Sequence, residues 1–473
     1  MPAVISPSFS LPFAAARPTP SWHLRVTGFV MMVLLLGYLS FGKSFGYIGY
    51  YPILIGEAGL CTAIFFLAMD QRLYFPRTLS AWLLFPMLLG MIAQAIYSVT
   101  YLQQQVVEVG RGIAPFYYAA FAFCTFVFLT RYRRFGYSNL IPSQKAIDQI
   151  ATMVLGIQTL SLIASTIGGN YLPIIPHTGV PILYYKPGDA SMVLLVLLLL
   201  ASKGKLNTFN ASWAVLMLLI ACAESRSVLL CTIAAAFISW RPKPRQLIAI
   251  TVLVVFGVAV ALSGVTVKLN YREISAERYL LNVMSIFNPE KAAEIDPQGQ
   301  GTKRWRVMWW TKIFDNAVET PYIFIGAGWG ENLAVQYGIY HISSAGWQDA
   351  ALLRNPHNIF FSTLGRGGWI VTGLWCLFYL TFLPRLFIAR FGRRSTSPEW
   401  KLLAEICIVF TVAALINGGT DVFLESPQNS IPHWIVIGLG WRLLLETRRK
   451  PSPVYIPQQI RYVPRRLSPI LVR

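Results

Sequence analysis

Along this chain, long uncharged stretches alternate with short basic ones. Segments 26–41, 190–201 and 247–262 hold no charged residue at all. A helix crossing a bilayer takes about 20 mostly apolar residues, fewer when it is held inside a bundle. On that pattern, spans are predicted near 24–42, 48–69, 79–98, 113–130, 147–167, 188–202, 207–224, 226–240, 246–265, 357–384, 401–418 and 431–446. The expected fold is an all-α polytopic membrane protein of about twelve transmembrane helices with one large extracytoplasmic loop. The segments between 188 and 240 are short and closely spaced, which leaves the exact number of spans there open.

The polar positions orient this array. Arg72 and Arg77, Arg131 to Lys145, Lys203 and Lys205, Arg241 to Arg245, and Arg385 to Lys401 fall between alternate spans, and further basic residues follow 446. Four of the other short connections carry one basic residue each, Lys43, Arg111, Lys186 and Arg226, and 419–430 carries none. The positive-inside rule then puts both termini on the cytoplasmic side of the membrane. Five regions follow: a disordered cytoplasmic tail 1–23, helices 1–9 over 24–265, a periplasmic loop 266–356, helices 10–12 over 357–446, and a basic cytoplasmic tail 447–473. The Pro- and Ser-rich start lacks the charged region and small-residue cleavage site of a signal peptide.

Composition changes the picture in one respect. Only 13% of residues are charged, yet the net charge is +20. In a soluble protein that excess would suggest nucleic acid; here it lies beside anionic lipid, and nucleic acid is not needed. The cysteines all fall in apolar runs without a CxxC pair, so neither disulfide nor metal site is expected.

The loop is where chemistry is sought, because hydrophilic insertions of about ninety residues in a compact protein are usually functional. A helix is predicted over 303–319, followed by Pro321 and a Gly-rich turn at 326–330. The loop tryptophans, Trp305, Trp309, Trp310, Trp329 and Trp347, suit either sugar stacking or a small core, and the core is the better use for most. Where the loop re-enters the membrane, Pro356 can start a helix. His357 and Asn358 would then occupy its first turn, with Phe361 and Leu364 on the face of His357. A neutral imidazole there can take a proton from a sugar hydroxyl. On chemistry alone, capping and water binding by this pair is the commoner use. Glu57 reads as an acid within the second span, either functional or paired with Arg111. Asp189, Asp421 and Glu425 line span ends and could supply a second carboxylate. His177, His341 and His433 belong to no constellation.

Pro356, His357 and Asn358, followed by Leu364 and Gly368, resemble the signature of the O-antigen ligase and polysaccharide polymerase superfamily. Arg306 and Trp310, with Pro321, Gly326 and Gly328, resemble its Arg-x-x-x-Trp helix, proline and Gly-x-Gly turn. Glu224, Ser225, Arg226 and Ser227 resemble its Ser-Arg pair between two short spans. The three elements stand in family order over 220–370. One departure is Arg366, where the family often has an acid; nine residues from His357 it falls on the opposite helix face, suited to a lipid or a neighbouring helix.

The resemblance implies glycosyl transfer from an undecaprenyl-pyrophosphate-linked donor to an acceptor hydroxyl on the outer side of the membrane. The acceptor would be a second lipid-linked glycan in a polymerase, favoured on base rate alone, or the lipid A core in a ligase. His357 would be the base, Asn358 would orient it or bind the acceptor, and Arg226 and Arg306 would hold the pyrophosphate. Arg forks pair two phosphate oxygens at once, so no metal or other cofactor is required. Arg304, Arg354 and Asp421 are weaker candidates. Membrane lipids and other polysaccharide-assembly proteins are the remaining expected partners. The rival is a polysaccharide or lipid-linked-glycan flippase, which calls for charges deep in the spans and repeated halves, little of which is present.

Overall fold

The computed structural model describes residues 21–50, 52–69, 74–134, 141–168, 171–239, 267–269, 272–274, 297–319, 323–339, 341–343, 346–348, 354–392 and 397–448. The ninth predicted span, most of both tails and much of the loop lie outside these described residues.

The described chain is mostly helical. Its helices are α1 (Trp22–Phe41), α2 (Lys43–Gly46), α3 (Ile55–Ala68), α4 (Leu79–Thr100), α5 (Val106–Tyr117), α6 (Ala120–Arg134), α7 (Gln144–Ile167), α8 (Pro187–Ser202), α9 (Thr208–Glu224) and α10 (Arg226–Ser239). They continue with α11 (Pro297–Glu319), α12 (Leu333–Gln336), α13 (Ile359–Phe391), α14 (Pro398–Gly418) and α15 (Pro427–Arg448). Three two-stranded hairpins interrupt them: β1 (Gly49–Tyr50) with β2 (Ile53–Leu54), β3 (Val267–Leu269) with β4 (Arg272–Ile274), and β5 (His341–Ser343) with β6 (Gly346–Gln348). Among the described residues, six helical segments are long and apolar enough to cross a membrane, and α3, α8, α9 and α10 are shorter apolar helices.

Local chemistry starts these helices where the apolar runs begin. Side-chain oxygens of Ser21, Thr78, Ser143, Asn207 and Ser397 accept the backbone N–H three residues on, satisfying donors that the first turn leaves open. The predicted second span began too early: the β1–β2 hairpin fills 49–54, and Glu57 stands in the first turn of α3. Its carboxylate accepts from the Leu54 N–H at 3.1 Å, from the Tyr117 hydroxyl at 2.8 Å, and from the Tyr118 hydroxyl. Glu57 is thus held by a helix start and two tyrosines, in place of the expected Arg111 or a deep membrane site.

Antiparallel packing sorts the charges to two ends. At one end Arg131 donates to the Leu67 carbonyl at 3.3 Å, and Glu405 lies 3.2 Å from Lys203 and 2.7 Å from Arg390. At the other end lie His357 and the residues predicted to act with it. The main core fills the bundle, while a second, smaller core sits at the His357 end. Trp305, Trp309 and Ile313 of α11, Leu333 and Ala334 of α12, and Leu364 of α13 build it. The core use of the loop tryptophans holds for Trp305, Trp309 and Trp329, all buried.

What joins loop to bundle is a break in α13. At Gly368 the backbone turns to φ 67° and ψ −172°, so helical bonding is interrupted inside an apolar helix. The Gly-rich turn supplies the missing partners: Ala327 N–H donates to Gly365 O at 2.9 Å, and Gly328 N–H to Arg366 O at 3.0 Å. Gln94 of α4 closes the gap, its Nε2 donating to Ile325 O at 2.9 Å and Gly367 O at 2.8 Å. Its Oε1 accepts from the Trp329 indole at 3.0 Å. Buried backbone polar groups are costly unless paired, and here all of these are paired across three segments.

This contact demands glycine. A Cβ on Gly326 would lie 2.4 Å from the Arg366 carbonyl carbon and oxygen, while Gly338, also at positive φ, has open space. Gly338→Ala should cost only the left-handed backbone penalty of about 1 kcal/mol. Gly326→Ala must also push the turn off α13 and should cost about 3 kcal/mol or more. Thermal unfolding of the purified full chain in detergent reads this as a clearly larger fall in Tm for Gly326→Ala.

Candidate functional site

His357 does not lie within the helix. Asn358 is the N-cap of α13, its Oδ1 accepting from Phe360 N–H at 2.9 Å and Phe361 N–H at 3.3 Å, and the helix begins at Ile359. The expected start at Pro356 is corrected by three residues, because an asparagine with a free side-chain acceptor is the stronger N-cap. His357 instead takes a left-handed backbone, φ 54°. That conformation is uncommon for a non-glycine residue and persists only where surroundings hold it. It also takes His357 off the face of Phe361 and Leu364. Those two pack instead against α11: the Phe361 ring stacks on Trp310 at 5.3 Å, and Leu364 is fully buried in the small core.

The imidazole is held on two sides. Its Nδ1 lies 3.1 Å from Asp421 Oδ1, in the α14–α15 connection, and the Trp305 ring stands edge-on to it with centroids 5.6 Å apart. With Nδ1–H donating to the carboxylate, Nε2 is the acceptor nitrogen. Among the described residues Nε2 has no hydrogen-bond partner, and the side chain is 24% exposed. A carboxylate behind an imidazole whose far nitrogen is open is the arrangement of a general base with its orienting group.

Helix α11 clamps both halves of this pair. The Trp310 indole donates to Pro356 O at 2.8 Å, one residue before His357. Arg306 Nη1 donates to Thr420 O at 2.8 Å, one residue before Asp421. The Arg306 guanidinium is also 5.6 Å from the Trp305 ring. Asn358 adds a third tie, its Nδ2 donating to Gly419 O at 2.9 Å. So α11, the start of α13 and the end of α14 are stitched together around one imidazole.

The electrostatics centre on Asp421. Its other oxygen, Oδ2, lies 2.5 Å from the Lys186 ammonium at the N-cap of α8. Burial pushes the Asp421 carboxyl up, but the His357 hydrogen bond and the Lys186 charge outweigh it and hold it well below the usual carboxylate range. Burial likewise pulls the Lys186 ammonium down, and Asp189 and Asp421 more than reverse that. Asp189 accepts from Asn429 Nδ2 at 2.7 Å. Lys43 stands over the rings of Tyr47 and Tyr184, at 5.6 and 5.3 Å. Burial and then the nearby Lys186 hold its ammonium below the usual range.

The other predicted residues are distributed as follows. Arg226 opens α10, half-buried. Cys231 Sγ reaches Ala413 O at 3.4 Å, so antiparallel α10 and α14 bring Arg226 level with Gly418, at the His357 end. Arg304 is on α11, its side chain outside the described residues. Arg354 pairs with Glu108 and donates to the Glu108 carbonyl at 3.1 Å, which fastens the loop end to α5. Arg366 is buried among protein groups and faces no lipid: it donates to Ser362, Asn355 and the carbonyls of Glu331 and Arg354, with Glu425 at 3.8 Å. Its neighbouring-segment contacts were expected and its lipid contact was not found, because the break at Gly368 wraps the turn around this face. Glu425 serves Arg366 and Ser362 rather than the imidazole. Lys186 was missed as a site residue. Its signal was present: a single cation in a connection otherwise poor in charge, three residues before an acid that opens the uncharged run 190–201.

Residues 209–376 match the family model described as O-antigen ligase. No curated protein matches the chain. The resemblance read from the three motifs is therefore shown, and those motifs are the parts the structure brings to one end of the bundle. The match implies O-antigen ligase- or polymerase-type glycosyl transfer by a bacterial membrane protein acting on lipid-linked glycan and acceptor substrates.

Asn358 can be separated from catalysis by stability. Asn358→Ala loses the cap and leaves Gly419 O unpaired, and should destabilise the protein by about 2 kcal/mol. Asn358→Asp keeps the cap and loses only the Gly419 bond, so its Tm in detergent should fall between wild type and Asn358→Ala.

Proposed function

We propose that this chain transfers a glycan from an undecaprenyl-pyrophosphate carrier to an acceptor hydroxyl at the outer face of the bacterial inner membrane, in one inverting displacement. The observation that carries the reading is the His357–Asp421 pair, with its second imidazole nitrogen open and Arg306 bonded beside it. His357 Nε2 accepts the proton of the acceptor hydroxyl as that oxygen attacks the anomeric carbon. The bond from that carbon to the pyrophosphate oxygen breaks, and undecaprenyl pyrophosphate leaves with the electron pair. Asp421 holds Nδ1–H and stabilises the imidazolium as it forms.

Arg306 and Arg226 are the assigned pyrophosphate ligands. A multiply charged leaving group next to hydrocarbon needs fixed cations, and guanidinium forks meet phosphate oxygens two at a time. Both arginines sit at the His357 end, and no cofactor is assigned. Arg304 stays a secondary candidate, and Arg354, given its Glu108 pairing, holds the site's edge. The acceptor is a second lipid-linked glycan in a polymerase or a lipid A core in a ligase.

The same reading sets the topology. The His357 end faces the periplasm, and the end carrying Arg131, Lys203, Arg390 and Lys401 faces the cytoplasm, as do both termini. Twelve spans and a periplasmic loop over 266–356 complete it. A flippase would want charge deep in the spans, and Glu57, its best residue, is at a helix start.

The test is complementation of a deletion strain, with surface glycan read on a gel beside protein level in the membrane. His357→Ala should lower glycan output by about 10²-fold or more at normal protein level. Arg306→Ala and Arg226→Ala should each cost about 10²-fold. Single repeats left behind identify a polymerase; long chains retained on the carrier identify a ligase. Full activity of His357→Ala sinks the mechanism.

A further inference from the structure

Three buried or half-buried titratable groups outside the proposed chemistry invite explanation. Glu405, buried between Lys203 and Arg390, joins α8, α13 and α14 at the opposite end and is satisfied as a structural tie. His433 bonds Tyr379 at 2.8 Å among Trp434 and Phe378, with nothing that could reach it. Lys186 is different, because it touches the group that touches the imidazole.

We propose that Lys186 is a positioning residue for the transfer reaction, seated on the second oxygen of Asp421 so that the first oxygen of this carboxylate is held on His357 Nδ1. The inference rests on the reading of His357 as base. Asp421 divides its oxygens: Oδ1 meets His357 Nδ1 at 3.1 Å and Oδ2 meets Lys186 Nζ at 2.5 Å. The Val422 N–H, 2.8 Å from Oδ1, fixes the remaining freedom of the carboxylate. A carboxylate acting alone on a half-buried imidazole would favour the imidazolium, which cannot accept a hydroxyl proton. A cation on the far oxygen withdraws part of that pull and leaves the orientation intact.

The sequence around Lys186 suits this post. As N-cap of α8, before Pro187, its backbone is fixed at a helix start, with Asp189 in the first turn as a second counter-charge. Asp189 is in turn bonded by Asn429 of α15. Among the described residues the other charges near this group are Lys43 of α2, Arg306 of α11, bonded to the Thr420 carbonyl, and the Arg366–Glu425 pair at α13 and the α14–α15 connection, with Glu224 at the end of α9 near Tyr185. Among the described residues only Lys186 contacts Oδ2, the oxygen turned away from the imidazole. Its loss therefore removes a positive charge from the Asp421–His357 pair and shifts the balance toward the protonated ring.

Diethyl pyrocarbonate acylates the neutral imidazole and reads this balance without any glycan substrate. The purified full chain in detergent is treated across about pH 5 to 9, and carbethoxylation of the His357 peptide is followed by mass spectrometry. In Lys186→Met and Lys186→Gln the midpoint of labelling should move up by roughly one pH unit. Lys186→Arg keeps the charge and should stay near wild type. Asp421→Asn should move the midpoint down. Coincident midpoints for wild type, Lys186→Met and Lys186→Gln overturn the proposal, as does a loss of labelling amplitude with no shift, which is what a purely structural lysine would give. Because the assay needs no transfer, failure here is distinct from an active His357→Ala, which overturns the base itself.

Discussion

Backbone amides released from a helix inside an apolar bundle must find new partners, because no water is there to take them. Helix α13 releases such groups at Gly365–Gly368, and the Gly-rich turn and Gln94 take them up. That requirement fixes the loop on the bundle in one register. It places α12 and α11 over the start of α13, where Leu364 completes their small core. It also wraps the turn around Arg366, whose four hydrogen-bonded partners come from α13 itself, from Glu331 just after the turn and from the two residues before Pro356. Displacing the turn would strip partners from backbone and guanidinium together, so the loop and the helix break stand or fall as a unit.

From that register the site follows. With α11 in place, Trp310 and Arg306 each bond the carbonyl just before a member of the proposed pair, Pro356 for His357 and Thr420 for Asp421. The left-handed backbone of His357 lies between the Trp310 bond and the Asn358 cap, two tight local constraints of the kind that keep an uncommon conformation populated. The charges are then interleaved: the Lys186 ammonium, the Asp421 carboxylate and the Arg306 guanidinium, with the His357 imidazole hydrogen-bonded to the carboxylate. A row of alternating charges is tolerable near hydrocarbon where isolated ones are not. It also leaves an excess of cation at an end proposed to receive pyrophosphate.

The all-α membrane character was legible in the chain because long uncharged runs have no alternative use, and six described helical segments are long and apolar enough to cross a bilayer. A short hairpin displaced the start of α3, and the predicted span 113–130 is divided between α5 and α6. The loop helix and the Gly-rich turn were legible too, from helical spacing in one and glycine density in the other. So was the candidacy of His357, Asn358, Arg226 and Arg306, through motifs that the family match covers. The starting residue of α13 was not: a proline and an asparagine compete to open a helix, and only the geometry of Phe360 and Phe361 N–H shows that Asn358 won.

What the amino-acid sequence by itself determined is local or additive: apolar length, the side on which cations collect, where helices can cap, and which residue types can do acid–base or phosphate chemistry. What only the tertiary structure decided is which of these meet. Lys186, His357 and Asp421 are separated by more than 60 residues at the nearest pair, and nothing periodic links them. Asp421 was one of several carboxylates at span ends, and Glu425, four residues on, turned out to serve Arg366 instead. That choice depends on how α8, α13 and α14 pack and on a backbone turn at His357. Through-space pairing of charges is set by those contacts, to which spacing along the chain is blind.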